Sequence, residues 1–246
     1  MDCSERVRLA LSRGHVHHLR TVIEVRALRF RYSSGDFELS VPSLDVARGR
    51  SLALVGPSGS GKTTLLHLVA GIILPRVGSV VVGEFDVARA TDLERRRFRI
   101  RRIGMVFQEF ELLEHLDVLQ NVLLPYHASR ALNLDHAARR RAQELIEQAG
   151  LAGRLHHTPR QLSQGERQRV AVCRALVTGP DLLLADEPTG NLDPRNKDRV
   201  LDMLQEYAGE TGATLVTVTH DTGLVARFDE VIDMGAWLAA ETKAEA

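Results

Sequence analysis

The chain has 246 residues, 44% of them hydrophobic and 26% charged, which are ordinary values for a globular protein. Its 32 basic and 32 acidic side chains give a formal net charge of zero, so the composition does not favour nucleic acid or an anionic membrane as a general partner. No apolar run approaches the length of about 18 residues that a membrane-spanning helix needs. The two cysteines suggest no disulfide framework and fit a reducing cytosol.

The N-terminal half begins with a segment rich in Arg and His that has no signal-peptide core, and we expect residues 1–20 to be a flexible tail. The runs TVIEVRALRFRY and FELSVPSLDVARG, within residues 21–49, predict strands of a small antiparallel sheet. The apolar run SLALVG at 51–56 precedes a Gly-rich loop, and TTLLHLVAGI after that loop has helical spacing. This order predicts a strand, a loop and a helix.

Five further apolar runs predict strands, at residues 79–83, 103–108, 181–187, 213–220 and 230–234. The central runs show little alternation, which is typical of parallel strands covered on both faces. Polar side chains stand at their carboxyl ends, namely Gln108, Asp186 with Glu187, and His220. Because ligands of open α/β sheets bind at that edge, we expect the loop and these three segments to converge on one site.

The stretch between Gln108 and Ser163 has helical patterns and few strand signals. DHAARRRAQELIEQAGL, residues 135–151, has helical periodicity and a glycine stop. We therefore predict a mainly helical subdomain at about 109–178, inserted in the sheet domain.

GPSGSGKT, residues 56–63, matches the phosphate-loop pattern G-x-x-x-x-G-K-[ST]. Its glycines let backbone N–H groups turn towards phosphate oxygens, Lys62 reaches the β and γ phosphates, and Thr63 offers a hydroxyl to Mg²⁺. Lys62 is one of only three lysines among the 32 basic residues, so composition alone would have placed Arg there. We expect the nucleotide to contact the whole loop, that is Gly56, Pro57, Ser58, Gly59, Ser60, Gly61, Lys62, Thr63 and Thr64.

The run LLLADE predicts a buried strand that ends in two carboxylates. Asp186 can hold Mg²⁺ and Glu187 can take a proton from an attacking water, although an acidic turn is the alternative. His220 and Gln108 have structural roles as their default interpretation when each is considered alone. Tyr32, 24 residues before Gly56, is a candidate to stack on adenine; a core tyrosine is the default, and Phe30 is a competing candidate.

LSQGE, residues 162–166, predicts a second anion site. Ser163 and Glu166 have the spacing of a capping box, and a helix start exposes backbone N–H groups that favour an anion.

These motifs, in this order and spacing, resemble those of an ATP-binding cassette (ABC) transporter ATPase over about residues 22–235. The segment GERQRVAVCRALVTGPDLLLADEPTGNLD is most similar to the lipoprotein-releasing, macrolide-exporter and cell-division subgroup. The resemblance implies a P-loop ATPase fold within residues 21–238, with tails at 1–20 and 239–246. It implies these roles: Gln108 is the Q-loop residue and an Mg²⁺ ligand with Thr63 and Asp186, Ser163 and Gly165 belong to the signature, Glu187 is the general base, Asp193 is the D-loop aspartate, His220 is the switch histidine and Tyr32 is the adenine-stacking aromatic.

One motif departs from the family pattern, and an arginine-rich run needs an interpretation of its own. The family usually has LSGGQ where this chain has LSQGE, so Gln164 replaces a glycine, whereas Glu166 still completes a capping box. The run ERRRFRIRR at 94–102 carries six arginines; a solvated helix face is its default interpretation, and proximity to lipid headgroups or an acidic partner is the alternative.

The resemblance implies an ATPase with ATP and Mg²⁺ as ligands, acting as a homodimer with a separate permease subunit and peripheral to the cytoplasmic membrane. We expect LSQGE to contact the nucleotide held on the other protomer's loop. The alternatives are a cell-division permease partner, a DNA-repair or chromosome-structuring ATPase, and a simple P-loop kinase. A DNA-repair type would need a long coiled coil, which the 54 residues from 109 to 162 cannot hold beside a helical subdomain, and we expect no nucleic-acid partner.

Overall fold

The computed structural model describes residues 21–33, 37–190 and 192–237. The tails predicted at 1–20 and 239–246 therefore lie outside the described residues. The chain forms two compact units, one made of the residues up to 95 and from 216 onwards, and the other of residues 96–215.

An antiparallel sheet in the first unit has the strand order β2-β1-β4-β5. It contains β1 (Thr21–Arg31), β2 (Glu38–Ala47), β4 (Val77–Val82) and β5 (Phe85–Asp86). The predicted pairing of β1 with β2 is confirmed, with Val25 opposite Leu44. The sequence did not assign the run at 79–83 to this sheet, where β4 pairs with β1 through Val25 and Val80. Pro42 lies in the edge strand β2, where a missing N–H is tolerated.

A second sheet has the strand order β6-β7-β8-β3-β9, and the chain passes from one unit to the other within β8. Its strands are β3 (Ser51–Val55), β6 (Ile103–Val106), β7 (Leu182–Asp186), β8 (Thr214–Val218) and β9 (Glu230–Asp233). β3 pairs with β9 and β6 with β7, both in parallel. Every residue of β7 and β8 is buried, as expected for central strands covered on both faces. The α/β fold with one antiparallel and one parallel sheet is thus confirmed.

The helices of the first unit flank the strand ends. Helix α1 (Lys62–Val69) follows β3 directly after the Gly-rich loop, and the short helix α8 (Thr222–Val225) follows β8. Helix α2 (Asp92–Arg102) holds the arginine-rich run and crosses the unit boundary.

Three arginines of α2 contact backbone carbonyls or a carboxylate of neighbouring segments. Arg95 donates to the Ala90 carbonyl, Arg101 donates to the Ala131 carbonyl at 2.9 Å, and Arg102 pairs with Asp181. No residue of α2 is buried, which fits the solvated helix face that is the default interpretation of the arginine-rich run.

The second unit holds the remaining helices. They are α3 (Val118–Val122), α4 (Leu124–Ala128), α5 (His136–Gln148), the 3₁₀ turns Ala152–Arg154 and Pro159–Gln161, α6 (Gln164–Leu176) and α7 (Pro194–Thr211). Between β6 and β7 all described elements are helical. Their shared core includes Val122, Ile146, Leu151, Val170 and Cys173, each no more than 1% exposed. Burial raises the pKa of the Cys173 thiol to about 12, so this cysteine is an inert core residue at neutral pH.

Candidate functional site

The Gly-rich loop between β3 and α1 has the backbone that its glycines predict. Gly56 and Gly61 have φ values of 141° and 88°, in the region that side chains rarely adopt. A Cβ on Gly56 would lie 3.2 Å from the Gly235 nitrogen, and one on Gly61 would lie 2.8 Å from Leu39 Cδ1. The chain therefore turns tightly here and leads its backbone amides into the first turn of α1, where N–H groups have no intrahelical acceptor.

Lys62 is held inside this loop. Its side chain is 9% exposed, and Nζ donates to the carbonyls of Gly56 at 3.0 Å and Pro57 at 2.8 Å. Thr63 is exposed at the start of α1, whereas Thr64 is buried. The ammonium is thus fixed within the same turn as the loop amides, an arrangement that fits a polyphosphate chain.

Tyr32 lies beside the loop. Its hydroxyl is 3.1 Å from Thr64 Oγ1, and its ring meets Phe30 edge-on with 4.7 Å between centroids. Tyr32 is 39% exposed but Phe30 only 8%, so Phe30 is a core side chain and Tyr32 is the aromatic that presents a surface. This difference favours Tyr32 over Phe30 as the stacking residue.

His220 lies two residues beyond the end of β8, whereas the sequence predicted it as the last residue of that strand. The strand ends at Val218 rather than at 220, and the next residue, Thr219, still donates its N–H to the Leu54 carbonyl of the neighbouring strand β3 at 3.1 Å. That bond places the exposed His220 next to the end of β3, from which the Gly-rich loop departs. Within the first unit, the loop and His220 therefore follow neighbouring strands of one sheet, and Tyr32 contacts Thr64 of the helix that begins at the loop.

In the second unit, Gln108 and the two acidic residues share an edge of the sheet. Val106 of β6 is aligned with Ala185 of β7, and both strands end within one residue of that pair. Gln108 lies two residues beyond the end of β6 and is exposed, so this strand too ends earlier than predicted. Asp186 is the last residue of β7 and is 8% exposed.

Glu187 has an unusual backbone. Its φ of 48° is in the left-handed region, which costs a non-glycine residue about 1–3 kcal/mol. The Gly190 N–H donates to its carbonyl at 3.0 Å and closes the turn. Such strain is concentrated at active sites, because it persists only where the surroundings impose it.

The LSQGE segment starts α6 with the predicted capping box, which is confirmed. Ser163 Oγ accepts from the Glu166 N–H at 3.3 Å, and Glu166 Oε2 accepts from the Ser163 N–H at 2.8 Å. The backbone bond from Ser163 lowers the pKa of Glu166, and Arg154, 3.3 Å away, acts in the same direction. Ser163 and Gln164 are exposed, so the N-terminus of this 13-residue helix faces outwards.

Asp193 caps α7, and sequence reasoning missed the residues that connect it to α6. Asn196 donates its N–H to Asp193 Oδ1 at 3.1 Å and its Nδ2 to Oδ2 at 2.5 Å, which lowers the pKa of Asp193. Asn196 Oδ1 accepts from Arg169 of α6 at 2.6 Å. Gly165 leaves room for this contact, since a Cβ there would lie 2.5 Å from Asn196 Cγ. A capping aspartate followed by Pro194 is a helix-start signal that could have revealed α7.

A second missed residue is Gln168. It is 1% exposed on α6, and its Nε2 donates to the Pro188 carbonyl at 2.7 Å. Its sequence position, one polar residue in a helix, carries no signal that would have found this contact.

Comparison with known proteins identifies this set of motifs. The family model described as ABC transporter matches residues 39–190. The chain belongs to the ABC transporter family. It is an ABC ATPase, and the resemblance predicted from its motifs is confirmed.

Two curated relatives show different extents of similarity. The chain is 45% identical to the lipoprotein-releasing system ATP-binding protein LolD of Geobacter metallireducens, over 84% of this chain and 92% of that protein. It is 44% identical to the macrolide export ATP-binding/permease protein MacB of Rhodopirellula baltica, over 89% of this chain but 33% of that protein. The chain thus spans nearly all of the first relative and a third of the second.

A solved structure agrees in fold. An ATP-binding cassette in a dimeric post-hydrolysis state, bound to ADP and Pi, superimposes with a TM-score of 0.77 at 31% identity, covering 87% of this chain and 95% of that one.

Proposed function

We propose that this ABC ATPase is the ATP-hydrolysing subunit of a transporter that releases or exports its substrate through a separate membrane permease. The observation that carries the proposal is the nearly full-length match to a lipoprotein-releasing system ATP-binding protein. The name of the macrolide relative includes both ATP binding and a permease, and the match to this chain covers only 33% of that protein. Among the described residues, no helix is long and apolar enough to cross a bilayer.

The loop geometry supports a role for Lys62 in binding ATP. Its ammonium already lies among loop carbonyls at 2.8–3.0 Å, within the turn whose amides would bind the β and γ phosphates. Mg²⁺, when bound, would neutralise phosphate charge, and Thr63, Asp186 and Gln108 are the residues that would hold it. The exposed Tyr32 would cover the adenine ring.

The proposed chemical step needs a base and charge stabilisation. Glu187 accepts a proton from the attacking water. The water oxygen bonds to the γ-phosphorus, and the bond from that phosphorus to the ADP oxygen breaks. Lys62 and the loop amides stabilise the charge on the phosphate oxygens. His220 supports the γ-phosphate from the end of β8.

The N-terminus of α6 completes a site in a second copy of the chain. Its start, where Ser163 and Gln164 are exposed, would bind the γ-phosphate held on the other protomer's loop, and Asp193 would lie at the same interface. A self-complementary dimer makes this contact twice. ATP then holds the dimer closed, and hydrolysis opens it and drives the permease at the cytoplasmic face of the membrane.

Co-expression with a candidate permease subunit tests the proposal. Purified chain should convert ATP to ADP and phosphate with Mg²⁺, and the reconstituted permease complex should change that rate several-fold. The DNA-repair alternative predicts a response to DNA instead. Stimulation by duplex DNA but not by the permease would overturn the transport assignment.

A further inference from the structure

Gln168 makes a buried polar contact that the proposed mechanism does not use. Its side chain is 1% exposed in α6, and its Nε2 donates to the carbonyl of Pro188 at 2.7 Å. Its Oε1 contacts no hydrogen-bond donor among the described residues. The bond from Nε2 to Pro188 is therefore the hydrogen bond through which this side chain acts.

The acceptor belongs to the strained turn. Pro188 directly follows Glu187, whose φ is 48°, and the Gly190 N–H closes the turn on the Glu187 carbonyl at 3.0 Å. A backbone in this conformation relaxes unless neighbouring groups hold it. Gln168 supplies a donor from a different element, and a short amide-to-carbonyl bond in a dry environment is stronger than the same bond in water.

We propose that Gln168 is a positioning residue that holds the Glu187 carboxylate in its reactive orientation, an inference that rests on the proposed role of Glu187 as the base. Proton transfer from water requires the carboxylate within hydrogen-bond reach, and misplacement by about 1 Å costs on the order of 100-fold in rate. Loss of the Gln168 donor therefore lowers the rate of the chemical step without removing any group that binds ATP.

Two substitutions distinguish the effect of the hydrogen bond that Gln168 donates from the effect of the packing of its side chain. Gln168→Met keeps the length of the side chain but cannot donate to Pro188. Gln168→Glu keeps the shape, and its carboxyl can donate only when protonated. Val172→Ala is the matched control, because Val172 is fully buried on the same helix and its truncation tests general loosening of α6.

The expected result is a split between kcat and KM. Gln168→Met should lower kcat at least tenfold, with KM and the affinity for a fluorescent ATP analogue changed less than twofold. Val172→Ala should keep kcat within twofold at a similar loss of Tm. The ratio of Gln168→Glu to wild-type activity should rise as pH falls through the pKa of the introduced carboxyl, which burial raises above its usual value.

Hydrogen exchange of the peptide spanning residues 182–190 provides a readout independent of hydrolysis. Exchange there should be faster in Gln168→Met than in Val172→Ala, because the Gly190 amide closes the turn that Gln168 holds. Equal kcat in Gln168→Met and Val172→Ala would overturn the proposal. A wild-type chain without ATPase activity would instead overturn the proposed function, and exchange would still show whether Gln168 holds the turn.

Discussion

Glu187 is the residue that we propose as the general base. It combines a carboxylate at a strand end with a left-handed backbone, next to the buried Asp186. The sequence predicted its role from the motif, but the backbone conformation is a tertiary property and has no local sequence signal. Gln168, which we propose holds the turn, could not be predicted either, because its contact with Pro188 joins residues that are distant in the sequence.

The first prediction concerns that carboxylate. Glu187→Gln should keep ATP binding and lower turnover by about 100-fold or more, because an amide cannot accept the proton of water. Equilibrium binding of an ATP analogue and phosphate release measure the two effects. Glu206→Gln makes the same change on α7, away from the strand end, and should leave both unchanged. Wild-type turnover in Glu187→Gln would remove Glu187 from the base role.

The second prediction concerns Tyr32. Tyr32→Ala should weaken ATP binding by about 1 kcal/mol, whereas Tyr32→Phe and Tyr32→Trp keep an aromatic face and should bind nearly as well. The Tyr32→Phe variant also loses the hydroxyl contact with Thr64, so we expect a small loss of its folding stability. Titration with a fluorescent ATP analogue checks affinity. Equal weakening by Ala, Phe and Trp would show that stacking is not the role of Tyr32.

At the scale of elements, apolar runs located the described strands except the two-residue β5, but they did not locate the strand ends. β6 ends two residues before Gln108 and β8 ends two residues before His220, so both polar side chains lie in the segments that follow the strands. The run at 79–83 was recognised as a strand, but its partner was not, since pairing with β1 depends on non-local contacts. Helix α7 was missed although Asp193 and Pro194 mark its start.

The third prediction tests the contact between α6 and α7. Gly165→Ala places a Cβ 2.5 Å from Asn196 Cγ and should destabilise the protein by about 1–3 kcal/mol, because a packed contact must separate. Asn196→Ala in the same chain removes the clash, so the double variant should be more stable than the sum of the single changes predicts. Urea unfolding followed by circular dichroism measures each free energy.

Gly209→Ala is the control for that series. Gly209 lies in α7 with no atom within 4 Å of a built Cβ, so alanine should stabilise the helix by about 0.5–1 kcal/mol. Strictly additive effects of Gly165→Ala and Asn196→Ala would contradict the proposed packing.

At the scale of the whole molecule, the proposed ATP site needs a second copy of the chain. The N-terminus of α6 presents an exposed Ser163 at a second helix start that we propose binds an anion, in a chain that already has a phosphate-loop motif. The structural relative bound to ADP and Pi is dimeric. Family resemblance predicted this arrangement; a single chain cannot reveal its partner, because the groups that would meet belong to different copies.

Complementation between two inactive variants tests this claim most directly. Lys62→Ala damages the loop and Ser163→Arg damages the signature, so each variant alone should lack hydrolysis. In a mixed dimer both lesions fall in one composite site, and the other site keeps an intact loop and an intact signature. We predict that mixing restores ATP-dependent pairing and measurable phosphate release. Lys62→Ala mixed with a Lys62→Ala/Ser163→Arg chain has no intact site and should stay inactive. Mixed dimers, isolated through two different affinity tags, that show neither ATP-dependent pairing nor hydrolysis above the control would contradict the account.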